Sequence, residues 1–141
     1  MATSKFSILL GVQLVAGVAL LVMMAVWPGP WGPRRMVGSA MLLTGLLLVF
    51  TARWQLGQSF SVTPQAKQLV THGLYSKIRN PIYLFGTVAI IGLCLILERR
   101  GLWILVAIVV AMQMLRARKE SQVLEANFGD EYRAYRRKTW F

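Results

Sequence analysis

Cysteine and acidic residues are both scarce in this sequence. Cys94 is the single cysteine among 141 residues, so no disulfide framework exists, and its position inside an apolar block marks it as a small core residue. Only 5 Asp and Glu stand against 16 Lys and Arg, and charged residues make up 15% of the chain. Soluble domains of this size carry more charge, so these shortages favour a membrane protein.

The sequence also lacks the motifs of several kinds of functional site. No cluster of His, Cys and carboxylates has metal-ligand spacing. No Gly-rich strand–turn–helix pattern is present, which excludes a Rossmann-type methyltransferase. Ionisable residues are absent from the apolar blocks as well, and a coupled transporter usually needs one deep in a span. A small transporter is therefore a weak alternative.

Long apolar blocks dominate what remains. They cover residues 7–27, 36–52, 82–97 and 102–115. At about 1.5 Å per residue the first block matches a bilayer core of about 30 Å. We interpret it as a retained helix, because Trp27-Pro28 stands where a signal peptide would have small residues. The sequence predicts an all-α integral membrane fold of four transmembrane helices.

The connections between the blocks follow from proline, glycine and length. Pro28, Pro30 and Pro33 predict a non-helical connection after the first helix, whereas Pro81 suits the first turn of the third. The four residues 98–101 allow only a tight antiparallel hairpin between the last two helices. The fourth helix is expected to continue to about residue 126, as part of an amphipathic tail on the cytoplasmic side. In that tail Gly129 predicts a helix stop before a final short helix.

Counting basic residues by side gives the orientation. Twelve of the 16 Lys and Arg fall on Lys5, the 53–79 connection and the tail from residue 116, and the other four are Arg34, Arg35, Arg99 and Arg100. The positive-inside rule therefore predicts cytoplasmic termini and a multi-pass protein. The basic residues flank apolar blocks, so the net charge of +11 indicates an anionic lipid surface and no nucleic acid partner.

Unusual residues gather on that same side, and each also has a plain structural interpretation. Arg116 and Glu120 share one helical face and could form an ordinary surface pair. Tyr132, Tyr135 and Trp140 are interpreted as aromatic residues at the membrane interface. The uncharged polar residues within the blocks, Gln13, Thr44 and Gln113, are expected to form interhelical hydrogen bonds, and Gln113 precedes Arg116 by about one helical turn.

Two half-motifs flank the predicted hairpin. The first reads Gly73-x-Tyr75-x-x-x-Arg79-Asn80-Pro81-x-Tyr83, and the second reads Glu120-x-x-x-Leu124-x-x-x-Phe128-Gly129-x-x-Tyr132-x-x-Tyr135. Together they resemble the isoprenylcysteine carboxyl methyltransferase family, whose wider relatives include phospholipid N-methyltransferases. The resemblance covers residues 54–135. It departs from the family at Asn80, where His is usual, and at Phe85, where Gly is usual.

The resemblance implies an integral-membrane enzyme that uses S-adenosylmethionine in a cytoplasm-facing pocket. The residues implied to bind the cofactor are Gly73, Tyr75, Arg79, Asn80, Pro81, Tyr83 and Glu120. The residues implied to act on the acceptor are Arg116 and Glu120. These side chains supply a carboxylate, aromatic faces and amide or basic donors, which suit the sulfonium, amino and carboxylate groups of the cofactor. Asn80 keeps a donor and an acceptor but cannot titrate, so an acid–base role is not expected at that position.

The predicted function is methyl transfer to a lipophilic acceptor, such as an isoprenylcysteine-type carboxylate, that enters from the bilayer. Methylation of a phospholipid amine and a non-catalytic membrane scaffold are the alternatives. The chain is expected to be one domain, with residues 1–52 as scaffold and residues 53–141 as the catalytic core. Gly11, Gly17, Gly38 and Gly45 would permit close helix contacts, and the oligomeric state stays open.

Overall fold

A computed structural model describes residues 2–57 and 69–141, and in these ranges the chain is helical with no named strand. The helices are α1 (Ala2–Val26), α2 (Pro33–Leu56), α3 (Pro81–Leu97) and α4 (Leu102–Lys138). A short 3-10 turn, Gly73–Ser76, precedes α3. The predicted all-α class and the four helices are confirmed. Part of the predicted 53–79 connection, residues 58–68, lies outside the described residues.

Prolines start two of the helices. Pro81 lies in the first turn of α3, as predicted. Pro33 likewise opens α2, so its assignment to the preceding connection was wrong. The physical reason is the same at both sites. The backbone N–H groups in the first turn of a helix have no hydrogen-bond partner within the helix, so proline, which has no N–H, loses no hydrogen bond there. The connection between α1 and α2 is therefore shorter than the sequence suggested.

Small residues allow α2 and α3 to touch backbone to backbone. A Cβ added at Gly45 would lie 2.7 Å from the Ala89 nitrogen, and one added at Gly38 would lie 2.7 Å from the Gly92 carbonyl oxygen. Leu42 and Ile96 fill the space between these close approaches, with 1% and 3% of their surfaces exposed. By contrast, a Cβ at Gly11 or Gly17 on α1 would have open space around it. Two of the four predicted contact glycines therefore pack inside the chain.

The last helix is bent, and the chain after the bend returns toward α3. Glu98 adopts a left-handed conformation, with φ of 53°, at the end of α3, and the hairpin link predicted at residues 98–101 separates α3 from α4. Gly129 has φ of 49° inside α4, which confirms the predicted interruption. Beyond it the chain turns back, and Trp140 pairs with Ile78 in an isolated parallel bridge. The bend thus brings the end of the chain to the segment before α3.

Many apolar side chains lie on the outside of the described helices. Val15 on α1, Leu47 on α2 and Ile104 on α4 are 71%, 65% and 68% exposed. By length and composition α2 could cross a membrane, and it is the one helix in the described ranges that meets both criteria. Leu10–Val26 and Pro81–Leu97 are shorter apolar stretches. The number of helices thus agrees with the prediction. The prediction that all four helices span a membrane is not confirmed, because α2 alone among the described helices meets the criteria.

Candidate functional site

A carboxylate bridges α3 and α4. Tyr83, in the first turn of α3, donates its hydroxyl to Glu120 Oε1 over 2.6 Å. Arg116, one turn before Glu120 on α4, donates from Nε to the same oxygen over 3.1 Å. The Arg116 guanidinium also lies 6.0 Å from the centre of the Tyr83 ring. We call Tyr83, Arg116 and Glu120 the carboxylate cluster; its two charged side chains are 38% and 27% exposed, so a ligand can reach them.

A second polar contact lies about one helical turn away on the same two helices. Thr87 Oγ1 lies 2.8 Å from Gln113 Oε1 and 2.9 Å from the carbonyl oxygen of Tyr83. Gln113 therefore forms the predicted interhelical hydrogen bond, and so does Gln13, which accepts from Arg53. Thr44 does not, since its hydroxyl donates within its own helix to the Ala40 carbonyl. The two polar pairs together line one stretch of the α3–α4 face.

Gly73 is favoured by its backbone conformation, and a neighbouring side chain packs on it. Its φ of 60° falls in the left-handed region that side chains disfavour. The Gln55 amide packs so closely on it that any Cβ would collide with the Gln55 side chain. Gln55 Oε1 in turn accepts the Leu74 N–H over 2.8 Å. Gly73 thus lets the end of α2 position the 3-10 turn that carries Tyr75.

Two of the three aromatic residues of the tail, Tyr132 and Tyr135, pack inward against the site. Tyr132 is 1% exposed, so its assignment to the membrane interface was wrong. Tyr135 is half-buried, and its hydroxyl donates to the Tyr75 carbonyl over 2.7 Å. The cause is the bend at Gly129, which turns this face of the helix inward. Of the three, Trp140 keeps a largely exposed side chain, at 60%.

Burial and neighbouring groups keep the phenols of this region protonated. Burial raises the pKa of Tyr75 above its ordinary value, and the nearby Tyr135, Glu120 and Tyr83 raise it further. Burial, with a smaller contribution from Tyr132, raises the pKa of Tyr135 to about 12, although Arg79 acts in the opposite direction. Neither phenol is suited to act as a base, and both are suited to donate hydrogen bonds.

The segment before α3 is held by the end of the chain. The Arg79 N–H donates to the Trp140 carbonyl over 3.3 Å, and the Asn80 N–H donates to the Phe141 carbonyl over 3.0 Å. Pro81 is fully buried. Asn80 is half-buried, and Arg79 Nε is a buried donor without a hydrogen-bond partner within the described ranges. A donor in that condition fits an anionic ligand group such as a carboxylate.

The structure brings most of the predicted site residues to one end of α3. Tyr83, Arg116 and Glu120 are in direct contact, and Tyr75 lies close enough to Glu120 for the carboxylate to influence its pKa. Gly73, Arg79, Asn80 and Pro81 form the segment leading into this cluster, where Gly73 and Pro81 have structural roles. Their roles toward a cofactor stay predictions. No group of three or more His, Cys, Asp and Glu in the described part of the chain could hold a metal ion.

One known family matches most of this chain. A family model described as phospholipid methyltransferase matches residues 33–131. The chain belongs to this methyltransferase family. The match confirms the family suggested by the two half-motifs, and it begins at the first residue of α2, so that α1 lies outside it. No curated protein matches the chain.

Sequence reasoning missed several residues that shape the site. Gln55 and Thr87 carry no motif signal, because isolated polar residues near helix ends are common. The contact between Tyr135 and Tyr75 and the pairing of Trp140 with residues 77–80 depend on the bend at Gly129. The glycine itself was a usable signal, since a helix stop before Tyr132 and Tyr135 already implied that their direction would change.

Proposed function

We propose that this chain is an integral-membrane methyltransferase that transfers the methyl group of S-adenosylmethionine to a lipophilic acceptor. The observation that carries the proposal is the carboxylate cluster, which joins the two half-motifs in space. All three of its residues fall within the residues matched by the phospholipid methyltransferase family. Family membership supports the reaction class, and the cluster supplies the groups that such a cofactor needs.

Membrane insertion is the second part of the proposal. Large apolar side chains are exposed along α1, α2 and α4, and a bilayer would cover them. Twelve of the 16 basic residues fall on the side of the site when all four helices span. The positive-inside rule then favours a site that faces the cytoplasm and opens toward lipid.

The residues of the site suit the cofactor group by group. Bound S-adenosylmethionine supplies an electrophilic methyl group on a sulfonium. Tyr83 and Arg116 hold the Glu120 carboxylate in one orientation, where it can accept from the cofactor's amino group. Arg79 and Asn80 supply donors for the cofactor's carboxylate, and Tyr75 and Tyr83 supply aromatic faces for its cationic parts. Glu120 therefore serves binding and orientation.

Arg116 and Glu120 also suit the two acceptors that the family resemblance allows. A guanidinium binds an acceptor carboxylate with two parallel hydrogen bonds, which favours an isoprenylcysteine-type acid. Alternatively, Glu120 can take a proton from an amine, and the description of the matched family favours this phospholipid acceptor. In both cases the chain holds the acceptor in line with the methyl group and keeps water away.

A transfer assay tests the proposal and separates the acceptors. Detergent-purified protein is incubated with S-adenosylmethionine tritiated on the methyl group, together with membrane lipids or a prenylcysteine analogue. We expect tritium in the organic phase with wild-type protein, and at least a tenfold lower rate with Glu120→Gln. Glu131→Gln is the matched control, because Glu131 is exposed and lies beyond the bend.

Base treatment then identifies the bond that was formed. A methyl ester releases volatile tritiated methanol in alkali, whereas an N-methyl group keeps its tritium. Volatile label supports the carboxylate acceptor, and stable label supports the amine. If no acceptor is labelled and no S-adenosylmethionine binds, the enzyme proposal is wrong and the scaffold alternative takes its place.

A further inference from the structure

A cavity lies at the other end of α3, away from the carboxylate cluster. Its volume is about 380 Å³. It is lined by the connection between α1 and α2, by the first residues of α2, and by the end of α3 with the link that follows it. Leu97 is fourteen positions after Tyr83 in α3, which corresponds to about 20 Å of helix. The cavity is thus distinct from the candidate active site.

The lining of this cavity is basic. It contains the three arginines Arg34, Arg35 and Arg99 and a single carboxylate, Glu98. Arg34 and Arg99 are exposed, and Arg35 is 5% exposed. Within residues 2–57 and 69–141, none of the three forms an ion pair with a carboxylate. Like charges gathered around a concave surface raise the local concentration of anions.

Arg35 is the central feature, because it is a buried cation with incomplete compensation. It donates from Nη1 to the Gly29 carbonyl over 2.7 Å and from Nη2 to the Met24 carbonyl over 2.9 Å. Its guanidinium lies 4.2 Å from the centre of the Trp31 ring. In the described part of the chain, Nε is buried without a hydrogen-bond partner. Carbonyl dipoles and an aromatic face offset only part of the cost of burying a charge, so an anion nearby would stabilise it further.

We propose that this cavity binds a phosphate-bearing anion, with Arg34 and Arg99 in contact with the phosphate and the buried charge of Arg35 attracting it. Guanidinium groups match phosphate oxygens with paired hydrogen bonds. The remaining wall, formed by Trp27, the prolines and Ile96, is apolar and suits the glycerol and first acyl carbons of a lipid. The same chemistry is offered by a phospholipid headgroup and by free phosphate.

Two probes distinguish these sources. The melting temperature of detergent-purified protein is followed as sodium phosphate is added, against sodium chloride at equal ionic strength. It is followed in parallel with dihexanoyl phosphatidylglycerol, against an uncharged dihexanoyl glyceride. The test variant is Arg34→Gln with Arg99→Gln, which leaves Arg35 in place to hold the connection. The matched control, Arg100→Gln with Arg137→Gln, removes the same charge from exposed positions outside the cavity.

We expect wild-type protein and the control to gain stability with at least one probe, and the test variant to need at least tenfold more of it. A response to phosphatidylglycerol alone identifies a lipid headgroup, and an equal response to phosphate identifies the free ion. No response to either probe, or equal responses from the two double variants, overturns the proposal. Methyl transfer by the test variant should match wild type, which keeps this result separate from the proposed enzyme function.

Discussion

α3 meets its two neighbours in opposite ways. Against α2 it packs backbone to backbone, with Ala89 close to Gly45 and Gly92 close to Gly38. Against α4 it is joined by polar side chains, namely Tyr83 with Glu120 and Thr87 with Gln113. The first surface is closed to any ligand, whereas the charged side chains of the second are about one-third exposed.

The difference assigns separate tasks to the two surfaces. Close contact between small residues gains dispersion energy over many atoms and fixes the relative position of α2 and α3. Gln55 then extends this fixed frame to Gly73 and the turn before α3. The α4 side has fewer contacts and keeps polar groups available, as a binding site requires. Residues on the α2 side should therefore control folding, and those on the α4 side should control ligand binding.

The largest effect is expected at the α2–α3 contact. Gly45→Ala places a Cβ 2.7 Å from the Ala89 nitrogen, and backbone at that distance cannot give way cheaply. Overpacking of this kind costs about 1–3 kcal/mol, so the melting temperature should fall clearly. Gly17→Ala is the control, since its Cβ would meet open space and alanine favours a helix over glycine by about 0.5–1 kcal/mol. Equal melting temperatures for the two variants would contradict a tight α2–α3 contact.

The next largest effect should separate cofactor binding, which we assign to Asn80, from contact with the acceptor, which we assign to Arg116. Asn80→Ala should weaken S-adenosylmethionine binding about tenfold, the value of one hydrogen bond to a charged group of about 1.5 kcal/mol. Arg116→Ala should lower turnover more than cofactor affinity, because we place Arg116 against the acceptor and the Tyr83 hydroxyl still holds Glu120. Binding and turnover are measured separately by calorimetry and by tritium transfer. A large loss of cofactor binding in Arg116→Ala would move that residue to the cofactor side.

A smaller effect should appear in alkali through Tyr135. In the unfolded chain a tyrosine loses its proton near pH 10, whereas the folded pKa of Tyr135 is about 12. The folded state therefore holds a proton that the unfolded state has lost, and stability should fall as the pH rises from about 10 to 12. Tyr135→Phe should lower the melting temperature at pH 8 and flatten the decline above pH 10. Parallel curves for the two proteins would show that Tyr135 ionises normally.

The smallest effect is expected at the exposed ion pairs around the bend. Arg133 contacts Glu125 at 2.9 Å and Asp130 at 3.0 Å, and all three side chains lie at the surface. Exposed pairs contribute little to stability, so Arg133→Gln should leave the melting temperature and methyl transfer unchanged. A drop of several degrees would mean that these pairs, and not Gly129, fix the return of the tail.

The sequence predicted the parts of this molecule that depend on local signals. Apolar blocks located the helices, Pro81 and Gly129 marked two boundaries, and the half-motifs named Tyr83 and Glu120 before their contact was known. What it could not predict depends on tertiary geometry. Nothing in the sequence around Gly38 and Gly45 indicates that they pack against α3. The burial of Tyr132 follows from the direction in which the chain turns at Gly129, and the folded backbone defines that direction.

The most direct test of the account is the affinity of purified protein for S-adenosylmethionine, measured by calorimetry with wild type, Glu120→Gln and Glu131→Gln. We expect wild type and Glu131→Gln to bind equally. We also expect Glu120→Gln to bind at least tenfold more weakly while its melting temperature stays within a few degrees of wild type. Equal binding by all three proteins, or no binding by any of them, would contradict a cofactor site built on the carboxylate cluster.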